Sequence, residues 1–318
     1  MENMKKTNIR ILYNKYLPLI TGLLFIFLLL TNPVKSASLV NTGLTTWYKH
    51  MIPSLFPFMV LSGILLRSGL SKQIAGILYP LLGRLFRLSP DCIYIIIMGF
   101  LCGFPMGASI IADSLTLHKI TQKEADLLLA FCNNIGPVYF ISFVTALCPY
   151  YPLYITISIM YGVPLCYGLI LRYTVFREIP RTYTNITTQA SADYLNIFED
   201  SIQKALISII ALGGYMIIFN VIQLPLYNSF YQLPEKLLCT YKGIIEINSG
   251  IAAIANYPQF YFITYAIFLP FGGLCCIFQT YSMIKNTSLS LRSYLLHKLV
   301  QTSLTVTIYM GFLFVRNF

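Results

Sequence analysis

Charged side chains are so sparse along this chain that the gaps between them define its elements. No charged residue occurs from Leu127 to Leu171, and further uncharged intervals run Tyr16–Val34, Met51–Leu66, Cys92–Ala112, Ala205–Pro234, Ile247–Ile284 and Leu299–Val315. A helix crosses a bilayer with about 20 apolar residues, so most of these intervals are near or above crossing length and the longest has room for two spans. The pattern predicts an all-α, polytopic integral membrane protein with about eight or nine membrane segments. Between Gln73 and Leu88 the apolar positions are spaced with Arg84 and Arg87 on another face, as in an interfacial or re-entrant helix.

Several predicted segments are interrupted from within. Asn133-Asn134-Ile135-Gly136-Pro137 lies inside the longest uncharged interval, and Gly103-Phe104-Pro105-Met106-Gly107-Ala108 lies inside another. Later in the chain Glu246-Ile247-Asn248-Ser249-Gly250 and Leu269-Pro270-Phe271-Gly272-Gly273 interrupt in the same order. Paired interruptions of this kind mark pseudosymmetric transporters whose site lies near the bilayer midplane. The expected organisation is a signal-anchor helix and loop over residues 1–44, a first half over 45–172, a polar Thr-, Ser- and Asn-rich linker over 173–198, and a second half over 199–318. Identity between the halves is low, so coincidence is the alternative to true repetition, and inverted and parallel repeats both remain open.

Composition agrees with a membrane assignment: 57% of residues are hydrophobic and 10% charged, against about 25% charged in soluble domains. Twenty-two Lys and Arg against eleven Asp and Glu leave +11. The excess is concentrated in Lys5–Lys15, Arg67–Arg87 and Lys285–Lys298, which the positive-inside rule places in the cytoplasm. Basic residues scattered between oily segments report topology, not a nucleic-acid partner. The eight cysteines include no CxxC pair and no histidine at ligand spacing, so they read as small buried hydrophobes, with a soft-metal path through Cys102 and Cys132 as the alternative. Ser36-Ala37-Ser38 after the first apolar interval resembles a signal cleavage site, although a first helix also serves as an uncleaved anchor.

In hydrocarbon a broken helix survives only where protein, water or ligand satisfies the freed backbone groups, so the interruptions predict a polar cavity. Glycine lets backbone approach a ligand, proline removes an amide hydrogen, and half-helix N-termini favour carboxylate or phosphate. The candidate substrate-binding residues are Gly103, Pro105, Gly107, Ser109, Asn133, Asn134, Gly136, Pro137, Asn248, Ser249, Gly272, Gly273 and Gln279. Their amides and hydroxyls both donate and accept, which suits a carboxylate, a ring nitrogen or a nucleobase edge; the alternative is that they join helices to one another. Glu246, inside a broken segment, is a candidate coupling residue for a proton or cation, or else a structural carboxylate. Glu124 and Asp126 read as helix caps at headgroup level, with proton or cation coupling as the alternative. No catalytic residues, metal site or cofactor are expected: His50, His118 and His297 have no matched carboxylate, and nucleotide fingerprints, HExxH and GxSxG are absent.

The ordered set Met51-Ile52-Pro53-Ser54-Leu55-Phe56-Pro57-Phe58, Gly103 to Ala108, Phe131 to Pro137, Gly213-Gly214-Tyr215, Gly243-Ile244-Ile245-Glu246 and Phe271-Gly272-Gly273 with Gln279 resembles the nucleoside-recognition (Gate-domain) membrane proteins, most closely the YlbJ-type sporulation integral membrane proteins. The resemblance covers roughly residues 45–315 and implies two Gate-like halves in the mother-cell or outer forespore membrane of an endospore former. It also implies transport of a small aromatic anion such as dipicolinate, with a second copy or other sporulation membrane proteins as partners besides the lipid bilayer. A nucleoside or metal-ion permease and a non-transporting scaffold docking through the 173–198 loop are the alternatives. No Lys or Arg falls within the interruptions, and Lys242 is the nearest cation that sequence offers to a dianion.

Overall fold

The structure, a computed structural model, describes residues 2–149, 152–180, 193–225 and 233–316. Helices make up most of the described residues, with no strand among them. The long elements are α1 (Glu2–Thr31), α2 (Pro33–Thr46) and α3 (Ile52–Arg67), the last two joined by a π-helical turn at Trp47–Met51. Next come α4 (Ser71–Leu78), α5 (Pro90–Cys102), α6 (Met106–Thr116), α7 (Gln122–Phe131), α8 (Pro137–Leu147) and α9 (Leu153–Tyr173). After the 173–198 interval follow α10 (Tyr194–Val221), α11 (Glu235–Ile245), α12 (Ile247–Ile254), α13 (261–271), α14 (Gly273–Ile284) and α15 (Leu291–Arg316).

Polar side chains set the starts of several helices. Thr121 and Glu124 form a reciprocal capping box at α7, Ser89 accepts from the Cys92 amide at α5, and Asp193 accepts from the Leu195 amide at α10. α10 therefore begins inside the interval expected to be a linker, of which residues 181–192 lie outside the described residues.

By length and hydropathy four helical stretches can cross a membrane: Pro33–Arg67, Leu153–Tyr173, Tyr194–Val221 and Pro258–Ile284. A fifth arises if Ser71–Phe86 and Pro90–Cys102, bent by 103°, count as one broken span. That bent pair begins in the stretch Gln73–Leu88, where an interfacial or re-entrant helix was expected. The expected eight or nine segments are not reached among the described residues, because an uncharged interval is not one helix. Cys92–Ala112 divides at Gly103–Pro105, and the helices on either side, of 13 and 11 residues, each fall short of the roughly 20 that a bilayer requires.

The bend is held by a buried cation. Arg172, 3% exposed at the end of α9, donates to the carbonyls of Phe86 at 2.8 Å, Arg87 at 3.0 Å, Phe176 at 2.8 Å and Ile179 at 3.1 Å. The Phe86 and Arg87 carbonyls lie where the chain reverses and the other two in the turn after α9, so a planar guanidinium ties the bend to that turn. On the other side α10 lies along α2 and α3, and Trp47 Nε1 donates to the Ile209 carbonyl at 2.8 Å. Large apolar side chains of α1 and of one face of α10, including Leu23, Phe27, Ile207 and Ile210, are exposed, as a lipid-facing surface requires.

Candidate functional site

The interruptions foreseen from sequence are real, and they meet. α5 ends at Gly103, whose φ of 82° only glycine adopts without strain, and α6 restarts at Met106. Residues 132–136 are non-helical and lie in a groove made by Gly99, Gly103 and Gly107 at four-residue spacing. A side chain on Gly103 would overlap the Gly136 amide, and one on Gly99 or Gly107 would overlap the Cys132 carbonyl. Gly103 and Gly107 thus admit another stretch of backbone at close range.

The two asparagines in that stretch are held on all sides by protein. Asn133 accepts from the Ala108 amide at 3.3 Å and donates to Thr280 Oγ1 at 2.9 Å and to the Tyr294 hydroxyl at 3.0 Å. Asn134 donates to the Phe131 carbonyl at 2.6 Å and accepts from Lys298 Nζ at 2.8 Å. Asn133 is 0% exposed and Asn134 4%, so these amides join α7 to α14 and α15.

Lys298 is the residue that motif reasoning missed. Its side chain is buried, its ammonium lies 4.7 Å above the centre of the Phe104 ring, and no carboxylate pairs with it among the described residues. Grouped by charge alone, it belonged to a surface cluster; the structure instead places it among the interruptions. The signal available was helical: Tyr294, Lys298, Gln301, Thr305 and Tyr309 recur every three or four residues and form a buried polar stripe on α15.

In the second half, α11 and α12 are separated by Glu246, which is 2% exposed. Its carboxylate caps α12, accepting from the Asn248 amide at 3.1 Å and the Ser249 amide at 2.8 Å. Oε1 also accepts from Asn248 Nδ2 at 2.6 Å, and Asn248 Oδ1 accepts from the Tyr139 hydroxyl at 2.7 Å. Ser249 Oγ donates to Asn220 Oδ1 of α10 at 2.9 Å. The fourth interruption is Gly272, at φ 83°, where α13 gives way to α14. A Cβ there would stand 2.9 Å from the Phe104 ring of the first half.

A cavity of ≈ 60 Å³ opens at this junction. Of the sequence candidates, Gly136, Glu246, Asn248 and Gln279 line it. Phe104, Tyr139 and Cys276, which sequence reasoning had not put forward as ligand contacts, line it as well, together with Cys102, named there only for a soft-metal path. Gly103, Pro105, Gly107, Asn133, Asn134, Pro137, Ser249, Gly272 and Gly273 do not line it, and Ser109 faces a different cavity. All cysteines but Cys166 are buried, and none is disulfide-bonded. Among the described residues no group of His, Cys, Asp and Glu side chains could hold a metal ion.

No protein-family model matches the chain. No solved structure matches it either. Over 118 residues it is 30% identical to a protein of Bacillus subtilis (strain 168) described as sporulation integral membrane protein YlbJ. The match covers 36% of this chain and 29% of that relative, so the chain aligns with about three-tenths of its relative's length. The YlbJ-type resemblance seen in the motifs is borne out by this match.

Proposed function

We propose, from the similarity to a sporulation integral membrane protein, that this chain is a helical transporter of a small aromatic anion, with dipicolinate as cargo across the outer forespore membrane. One observation carries the reading: three helix interruptions, at Phe104, Ile135–Gly136 and Glu246–Asn248, line a single cavity inside a helical membrane protein, and the fourth, at Gly272, packs against the Phe104 ring of its wall. Freed backbone groups and neutral amides supply hydrogen bonds there, and the Phe104 and Tyr139 rings supply a stacking surface for a planar ligand.

Charge must also be matched. Glu246 contributes a carboxylate, but its oxygens are taken up by the α12 amides and by Asn248. Lys298 supplies the opposing charge from behind Phe104. A buried ammonium without a carboxylate partner is costly in a membrane and marks an ion or substrate path by default. The cavity holds little more than a few waters, so loading requires the wall to part, and a swing of Phe104 would bring the ligand and Lys298 together.

The test is flux of labelled dipicolinate against labelled nucleosides into proteoliposomes containing the purified protein, with pH and sodium varied. Saturable dipicolinate uptake that excludes nucleosides supports the reading. Nucleoside uptake would transfer the cavity to a different cargo. Absence of any flux, with partner capture that depends on the 173–198 interval, would establish a scaffold instead.

A further inference from the structure

A second cavity, ≈ 170 Å³, lies one helical turn beyond the first on the same three helices. On α3, Leu55 lines the first and Met59 the second; on α10, Leu212 lines the first and Ser208 the second; on α14, Gln279 lines the first and Met283 the second. Each pair is four residues apart, a separation of about 6 Å along a helix axis. The two hollows are therefore stacked, with Met59, Met283 and Leu212 around the level between them.

The second cavity differs in chemistry. Arg67 and Lys204 face one acid, Asp113, at 3.9 Å and 3.4 Å, which leaves the walls with a net positive charge. Exposure falls from Lys204 at 56% through Asp113 at 29% to Arg67 at 11%, so Lys204 stands at the mouth and Arg67 at the floor. Arg67 Nη1 donates to Ser201 Oγ at 3.1 Å, whereas Nη2 is buried and makes no hydrogen bond. Ser109, Ser208 and Ser282 also line the space, and no described residue engages their hydroxyls. An underused buried guanidinium, a second cation and unengaged hydroxyls around a hollow of this size are what a carboxylate group needs.

We infer that this cavity is an anion vestibule: it receives the carboxylate of a small soluble anion at Arg67 and Lys204 before the anion passes Met59 and Met283 into the chamber. The inference deepens the transport reading and rests on it for the onward step, while binding at the vestibule can be measured by itself. Asp113 sets the affinity by competing with the incoming anion for both cations.

The experiment compares wild-type protein with Lys204→Gln, Arg67→Gln and Asp113→Asn, using dipicolinate as probe. Equilibrium binding is measured by calorimetry in detergent, and uptake in phosphatidylcholine vesicles with and without anionic lipid. Lys204→Gln is expected to weaken binding and raise KM several-fold, Arg67→Gln about tenfold, and Asp113→Asn is expected to tighten both. If Arg67→Gln does not fold, the mouth variant Lys204→Gln and Asp113→Asn decide alone.

Charge-dependent binding without any transport would uphold the vestibule and sink the transport reading. Dipicolinate transport with KM and binding unchanged in folded Lys204→Gln and Asp113→Asn would sink the vestibule and leave transport standing. Effects of these variants that appear only when anionic lipid is present would assign the site to lipid headgroups and overturn the inference.

Discussion

The Tyr139 hydroxyl donates to Asn248 Oδ1 at 2.7 Å, and Asn248 in turn holds the Glu246 carboxylate, so one hydrogen-bonded chain ties the second interruption of the first half to the first interruption of the second. All three side chains line the same cavity. The link matters because it fixes the rotation of the Asn248 amide at the cavity wall, beside the bonds that Asn133 and Asn134 make between the halves.

Tyr139→Phe should therefore test linkage with little loss of shape. The ring keeps its stacking on Phe143, whose centre is 5.1 Å away, and only the bond to Asn248 is lost. About 1 kcal/mol of stability should go with it. Glu246→Ala should cost more, on the order of 3 kcal/mol, because two α12 amides and the Asn248 amide group lose their acceptor together. Thermal unfolding in detergent reads both. Equal melting temperatures for the two variants would contradict the capping role of Glu246.

Asn133→Leu should act on folding before it acts on cargo. It strands the Ala108 amide and removes the partner of Thr280 and Tyr294 in a site with no solvent access. The expected loss is on the order of 3 kcal/mol, seen as a lower melting temperature and a reduced amount of protein in the membrane. Normal stability with abolished uptake would return Asn133 to the list of direct ligand contacts.

Lys298→Met separates charge from packing. Methionine fills a similar volume, leaves Asn134 Oδ1 without its donor, and removes the cost of burying an ammonium. These effects oppose one another, so stability should stay within about 1 kcal/mol of wild type. Dipicolinate uptake should nonetheless be lost, because the Lys298 ammonium is the counter-charge held behind the Phe104 wall of the chamber. Retained uptake with unchanged preference for an anion would eliminate Lys298 as the counter-charge.

How much of this was legible in the sequence differs from residue to residue. The interruptions at Gly103–Pro105, Gly136–Pro137, Glu246 and Gly272 were visible because proline and glycine act locally on the backbone, whatever the rest of the fold does. Engagement of the asparagines was not visible: Asn133 is satisfied by residues 147 and 161 positions away, and Asn134 by one 164 away. No local pattern encodes those partners. Lys298 was masked by the habit of counting charge by region, although its four-residue spacing from Tyr294 put it on an inward face. The expected eight or nine segments are not matched by as many long continuous helices among the described residues for a related reason, since hydropathy measures oiliness and not the continuity of a helix.

The three glycines at residues 103, 213 and 214 provide the sharpest check on the packing itself. Gly103 has φ 82° and ψ −171°, a backbone region that is essentially reserved for glycine, so Gly103→Ala carries about 1–3 kcal/mol of backbone strain alone. Its added methyl would also collide with the backbone of Gly136, which cannot turn aside as a side chain could, and the loss should be enough to prevent accumulation of folded protein. Gly213→Ala meets the Trp47 indole at 2.6 Å, and the ring is pinned by its bond to the Ile209 carbonyl, so this variant should fold with a clearly lower melting temperature. Gly214→Ala meets nothing within 4 Å on the exposed face of α10, and should stabilise the helix by up to about 1 kcal/mol. Expression and thermal unfolding of the three variants side by side give the order Gly214→Ala, Gly213→Ala, Gly103→Ala from most to least stable. If Gly103→Ala were as stable as Gly214→Ala, the segment 132–136 would not lie in its glycine groove, and the convergence of interruptions that defines the chamber would be wrong.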